Sequence, residues 1–415
     1  MRTAHPHPAR PHAVRTPLAV LLAVLGLLAP VALVAGAGPA DAAITKLTPG
    51  NFRWSLSRTP ASLVAGLDAA LPNVSMRTVV DDGNRAGMAC SASVTHRVAS
   101  FCWNAGDRDT TAWYPQGVTT SNDALGAGTY EGRRVLMASW YDHASDGVAK
   151  GSRVSVVNLT SSTTTPTYRH VLLAEPVTED GKPSFRPVNV HAGGLAWYGN
   201  LLYVVDTTGG LRVFDLDHLW RVTTGDGPTK VGRQPDGSYR AFDYKYVLPQ
   251  VAKYGDSTVG GYPQLQHSSV ALDRTSTPDS LVVSEFRSQG DLDDGHVARV
   301  VRIPIDYTDR LLSESSDGLV RATEAYRTDL ERVQGAAAID GEFFFSQSDG
   351  SDFSDPNSEG DLHTWRPGAS ATTRHGNAFP PGPEDLSYDP TRDALWSLSE
   401  YPGRRWVFAV DASSF

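Results

Sequence analysis

Short apolar runs separated by turns dominate the chain after residue 115, and they recur in a fixed order. The first kind opens on a small residue or a short acid: Gly117-Val118-Thr119, Gly194-Leu195-Ala196, Ser269-Val270-Ala271, Gly335-Ala336-Ala337 and Asp385-Leu386-Ser387. A more strongly apolar run follows each: Val135 to Ser139, Leu202 to Val205, Leu281 to Ser284, Phe343 to Ser346 and Trp396 to Ser399. Past a Gly-containing loop comes a third run. It carries an Arg in Arg153-Val154, Arg212-Val213, Arg299-Val300 and Arg405-Trp406, and otherwise reads Leu362 to Trp365. More polar runs around Tyr168 to Leu173, Tyr239 to Val247, Val320 to Tyr326 and Thr373 to Phe379 complete all units but the last. Such short runs between Gly-, Pro-, Thr- and Ser-rich turns predict strands and an all-β fold.

Four antiparallel strands, here A to D in chain order, repeated radially, is the plan of a β-propeller. Small residues suit strand A, which crowds the axis. Successive A runs start 77, 75, 66 and 50 residues apart, an uneven spacing outweighed by the constant order of elements. The pattern predicts a five-bladed propeller; a degenerate blade within residues 75 to 112 would raise the count to six. The last unit stops after its third run, at Phe415. A free sheet edge is a liability, so a strand from the N-terminal side is expected to close it, and Val98 to Trp103 is the natural donor.

Ahead of the repeats, Thr59-Pro60 is suited to start a helix, Leu63, Leu67 and Leu71 recur every four residues, and Pro72 ends the run. The expected organisation is an N-terminal segment over 43–106, with one helix and the closing strand, and a propeller over 107–415. Residues 1–42 read as a signal peptide. Arg2, Arg10 and Arg15 precede an apolar run from Leu18 to Val34, and Ala40-Asp41-Ala42 supplies a cleavage pattern. The rival, a retained anchor, fits less well, because Pro30 interrupts the run and small residues follow it. No Arg-Arg pair precedes the run, which favours the general secretory route. No later run is long and apolar enough to span a bilayer. A secreted, extracellular, monomeric protein is the expectation.

The net charge of −9 argues against nucleic acid or anionic membranes as partners, since phosphate would be repelled; solubility is its plain explanation. The two cysteines, Cys90 and Cys102, are expected to form a disulfide in an oxidising compartment. A metal site is the alternative, without further Cys or His at ligand spacing to support it.

In antiparallel neighbours the start of strand A and the end of strand B share a face. There the sequence places Gln116, Gly193, Ser268, Gln334 and Glu384 before A, with Asp385 opening it, and Trp140, Asp206, Glu285, Gln347 and Glu400 after B; His191 and His267 stand close by. Converging carboxylates and imidazoles on one concave face are candidates for acid/base catalysis. Asp206, Glu285, Glu400, His191 and His267 are the catalytic candidates. Trp140, Gln116, Gln334, Glu384, Asp385, Tyr262 and Arg287 are the substrate-binding candidates. The structural alternative for each is a carboxylate that caps a turn or pairs with an Arg, or an aromatic that fills the core. Serine-nucleophile and phosphate-loop signatures are absent.

Residues 346 to 361 form an oxygen-rich loop in which Asp349, Asp352 and Asp355 are the candidate metal ligands. Such loops suit Ca²⁺. The spacing is not that of an EF-hand, so this is composition and not a motif, and a solvated acidic loop is the better explanation; a smaller cluster holds Asp291, Asp293 and Asp294.

Over roughly residues 98 to 415 the repeats resemble those of secreted bacterial β-propeller proteins. The resemblance rests on blade architecture, carries no catalytic signature, and implies a fold without an activity. Two readings follow from the face itself. The first is a carbohydrate-active hydrolase or lyase whose carboxylates do acid/base work on an extracellular polysaccharide, favoured by the unequal residues from unit to unit. The second is a non-catalytic glycan- or protein-binding propeller.

Overall fold

The computed structural model describes residues 42–144, 146–348 and 358–415. The expected leader, Ala42 apart, and the candidate ligands Asp349, Asp352 and Asp355 lie outside the described residues. The fold is predominantly β, with short helices. Ala61–Ala70 is the helix expected from the Leu spacing, and Val64 and Leu67 bury its inner side against Phe185 and Trp220. Thr59 does not cap it; its hydroxyl donates to the Gln250 carbonyl (3.0 Å) and anchors the segment to a strand instead.

The strands form antiparallel units in the predicted order. The first runs Trp113–Thr120, Val135–Asp142, Ser152–Asn158 and Thr167–Glu179. The second runs Leu195–Tyr198, Leu201–Asp206, Gly210–Asp215 and Tyr246–Thr258. His267–Asp273, Ser280–Glu285, Ala298–Pro304 and Glu324–Thr328 make the third. Val333–Ile339, Glu342–Gln347, Gly360–Trp365 and Thr373–Phe379 make the fourth. The last pairs Ser387–Asp389, Ala394–Leu398 and Trp406–Asp411, and Arg97–Cys102 then adds from the N-terminal side, with Trp406 opposite Cys102. Cys90 and Cys102 form the disulfide, and Cys102 also exchanges backbone hydrogen bonds with Met88, so the added strand is held at its end by covalent and hydrogen bonds together.

Two outer strands differ from expectation. In the second unit the paired strand is Tyr246–Thr258, while Tyr239–Ala241 belongs to a separate hairpin with Val231–Arg233. In the third, Leu319–Arg321 leaves the unit and pairs with Phe52–Arg58. That N-terminal strand also lines the outer edge of Tyr246–Thr258, and Ile44–Lys46 lines Glu324–Thr328. The segment therefore covers edges in two further units, which blunts them against pairing with another chain.

Small residues in strand A have the reason the sequence suggested. A Cβ on Gly194 would lie 2.2 Å from the Val270 amide nitrogen, and one on Gly117 would lie 2.7 Å from the Gly194 carbonyl carbon. Backbone meets backbone at these places, and only glycine fits. Asp385 ties the innermost strands: its Oδ2 accepts the amide N–H groups of Val118 (3.1 Å) and Leu195 (2.9 Å), which reaches from the last unit to the first and second. Burial pushes its pKa well above the carboxylate range.

Candidate functional site

A cavity of about 390 Å³ opens where the A strands begin and the B strands end. Glu384 and Glu400 stand in its wall, brought together by backbone pairing: the Glu384 amide donates to the Leu398 carbonyl (2.9 Å) and the Glu400 amide to the Gly382 carbonyl (3.0 Å). The two carboxyls are near enough for each to bear on the other's ionisation. Gln116 donates from Nε2 to Glu400 Oε2 at 3.0 Å. Both acids are buried, which raises both pKa values because the charged form loses water. Glu400 rises to about 7, with Gln116 and the Arg405 charge opposing the rise. The Glu384 pKa is also raised well above its ordinary value, by burial first and then by the Glu400 charge. Both carboxyls therefore keep a proton to higher pH than an exposed carboxyl would. Oε1 of Glu384 is buried without a partner.

Arg405 supports this wall from behind. Its guanidinium is buried, donates from Nε to the Glu400 carbonyl (2.6 Å) and from Nη1 to the Asp107 carbonyl (2.9 Å), and lies 4.9 Å over the Tyr114 ring. Desolvation lowers its pKa to about 10. Across the cavity His191 stacks on Tyr141, with ring centroids 4.3 Å apart. Burial, then the neighbouring His143, lowers the His191 pKa, so the ring is neutral. Gln334, Gln266 and Arg332 supply further polar groups to the lining, and Tyr401 and Phe286 contribute ring surface.

Of the residues singled out from sequence, Glu400, His191, Gln116, Gln334 and Glu384 line this cavity. The others lie elsewhere. Asp206 is clasped by Arg212 (2.9 Å), with Lys253 at 3.5 Å. Glu285 receives Arg299 through two bonds (2.5 and 2.7 Å), Arg287 at 3.1 Å and the Gln266 amide at 2.7 Å. His267 is fully buried, accepts Trp54 Nε1–H at 3.2 Å on Nε2, and has its pKa lowered chiefly by burial. Trp140 is core, and its indole N–H donates to Ser155 (2.8 Å). Tyr262 packs on Phe52 at 5.4 Å. Asp385 is the strand tie described above.

One repeated device explains the division. An Arg near the start of the third strand grips the residue that ends the second: Arg212 holds Asp206, and Arg299 holds Glu285. In the last unit Arg405 gives its Nε–H to the Glu400 main-chain carbonyl instead. The Glu400 carboxylate is thereby left to Gln116 and Glu384, on the cavity. Nothing in the sequence marks Arg332 as a site residue, and the only signal for Arg405 is the recurrence of Arg at the third run. Among the described residues no group of three or more His, Cys, Asp or Glu side chains is placed to hold a metal ion. Asp291, from the smaller acidic cluster, caps the Gln289–Asp293 helix through Ser288.

No family model matches the chain, and no curated protein matches it. Solved structures similar to it include Kuenenia stuttgartiensis hydrazine synthase, at 11% identity over 70% of this chain and 74% of that one, with a TM-score of 0.31. Another is the GH43_1 enzyme from Xanthomonas citri, at 10% identity over 84% and 92%, TM-score 0.32. A third is a thermostable family-43 glycoside hydrolase, at 8% identity over 72% and 89%, TM-score 0.29. At such scores the likeness carries no weight for activity.

Proposed function

We propose that this chain is an exported, five-bladed β-propeller whose axial cavity takes a glycan, and that Glu384 and Glu400 act in it as one proton-sharing acid/base. The strand pairing and the closing strand support the blade count. The leader pattern and the disulfide support export. The carbohydrate-active reading rests on one observation: two neighbouring buried carboxyls, both with raised pKa, in the wall of a cavity edged by amides and aromatic rings.

The contact also narrows the chemistry. The two carboxyls of a retaining glycosidase stand roughly 5–5.5 Å apart, and those of an inverting one further. Two neighbouring buried carboxyls on one wall, the charge of one raising the pKa of the other, instead resemble a pair in which both cannot ionise together. Among the described lining residues no other carboxyl faces the pair. Lyase chemistry fits this arrangement better than two-sided hydrolysis. Glu400 would take a proton from the carbon next to a sugar carboxylate, the C–O bond to the leaving sugar would break, and Glu384 would return a proton to the leaving oxygen. Arg332 would neutralise the sugar carboxylate. The test is release of unsaturated product from a panel of uronate-containing polysaccharides by the wild type, Glu384→Gln and Glu400→Gln. Loss of product in both variants with retained fold supports the reading; wild-type turnover in either one removes it.

The second reading, a non-catalytic glycan-binding propeller, is favoured by the amides of Gln116, Gln266 and Gln334 on the cavity, a donor and acceptor set that suits sugar hydroxyls. Saturable binding with no product from any substrate would select it.

A further inference from the structure

A second polar cavity, of about 230 Å³, lies away from the axial one, and its lining includes Arg85, Arg153, Arg169, Lys245, His170 and Tyr244. Its position follows from the sheet. Thr167–Glu179 and Tyr246–Thr258, the outer strands of the first two units, pair in parallel with Val247 opposite Leu172. Arg169 and His170 sit on the first of these strands, Lys245 immediately precedes the second, and Arg85 pairs across from Tyr168.

Charge is in surplus there. Asp107 is shared by Arg85 (3.0 Å), Arg153 (3.3 Å), His170 (3.1 Å) and the Tyr168 hydroxyl (2.7 Å). Asp82 is shared by Lys245 (2.7 Å), Arg169 (3.2 Å) and the Tyr246 hydroxyl (2.7 Å). Asp243, also in the lining, accepts the Gly225 amide (2.9 Å). Four permanent cations thus meet three carboxylates, in a chain whose net charge is −9. Nε of the buried Arg153 has no hydrogen-bond partner. His170 adds no further positive charge, because burial, reinforced by Arg153, holds it neutral with a pKa of about 3. Guanidinium groups around a small concavity match the oxygens of a sulfate or phosphate through charge-assisted bonds.

We propose that this cavity is a binding site for a tetrahedral oxyanion, either the free ion or a sulfate or phosphate ester on a sugar. The test is calorimetric titration of the purified protein with sodium sulfate, sodium phosphate and a sulfated monosaccharide, against sodium chloride at equal ionic strength. Selenate-soaked crystals would locate the ion. Stoichiometric binding beyond the chloride control, selenate in this cavity, and at least tenfold weaker binding in Lys245→Gln and in Arg169→Gln would support the site. Tighter binding of the sulfated sugar than of inorganic sulfate assigns it to an ester; the reverse assigns it to the free ion. Lys245 is part-exposed, so its variant keeps the test meaningful if Arg169→Gln unfolds. No binding above chloride, selenate elsewhere, or unchanged affinity in a folded Lys245→Gln would overturn the proposal. Turnover in the axial cavity does not enter any of these readouts.

Discussion

Glu400 and Arg405 meet through the Glu400 main-chain carbonyl, 2.6 Å from Arg405 Nε, and not through the Glu400 carboxylate. The corresponding pairs, Arg212 with Asp206 and Arg299 with Glu285, meet through the carboxylate. The same arginine position therefore neutralises two acids and leaves the third carboxyl facing the cavity beside Glu384.

The first consequence concerns pH and stability. Glu400 has a folded-state pKa of about 7 against an ordinary value of 4.5, so the folded state holds the proton more tightly. Its contribution is fully present below pH 4.5 and is lost as pH rises through 7. Replacing it with Gln removes that loss. Melting temperatures of wild type and Glu400→Gln should diverge from pH 5 to pH 8, with the variant gaining relative to wild type at the higher pH. A constant difference across the range would show that Glu400 is not buried as an acid.

Glu285 and Asp206 should behave as structural anchors. Glu285→Gln leaves the buried Arg299 and Arg287 without their anion, and breaking such a pair costs about 3–5 kcal/mol. Denaturant unfolding should show this loss, while Asp206→Asn, at a more open site, should cost less. Neither should change turnover per folded molecule in the axial cavity. A kcat effect at unchanged stability would return them to the catalytic set.

Much of this architecture was legible in the chain. The order of runs gave the units, and the missing last strand pointed to the closing segment now seen at Arg97–Cys102. The edge strands Ile44–Lys46 and Phe52–Arg58 were not legible. Phe52 and Trp54 alternate with more exposed neighbours, as in any half-buried strand, but that alternation does not say which partner lies some two hundred residues away. The candidate face was legible as a set of polar strand ends. Its division was not, because Asp206, Glu285 and Glu400 look alike until one knows which oxygen each arginine takes.

The closing strand offers a covalent test. In the chain-entropy account a loop the size of that between Cys90 and Cys102 contributes about 3 kcal/mol. Reduction, or Cys102→Ser, should lower the melting temperature by several degrees in a protein that remains folded at room temperature. An unchanged melt would mean that backbone pairing alone holds the strand.

Packing at the axis offers another. Gly194→Ala would place a methyl group 2.2 Å from the Val270 amide nitrogen. The inner strands must separate to admit it, at a cost of about 1–3 kcal/mol by the usual measure of overpacking. Gly341→Ala, with open space around its Cβ, carries only the penalty of its positive φ of 78°. Urea unfolding of both variants distinguishes a crowded axis from a general intolerance of glycine replacement.

The central claim is that Glu384 and Glu400 form the working acid/base of a glycan site. The most direct measurement is a titration of wild type and Glu400→Gln with the same panel of soluble polysaccharides and oligosaccharides, reading thermal stabilisation and product release together, since a ligand of the native state must raise its melting temperature. At least one glycan is expected to stabilise both proteins, with only the wild type releasing product. Product release by Glu400→Gln at the wild-type rate, or no stabilisation of the wild type by any member of the panel, would contradict it.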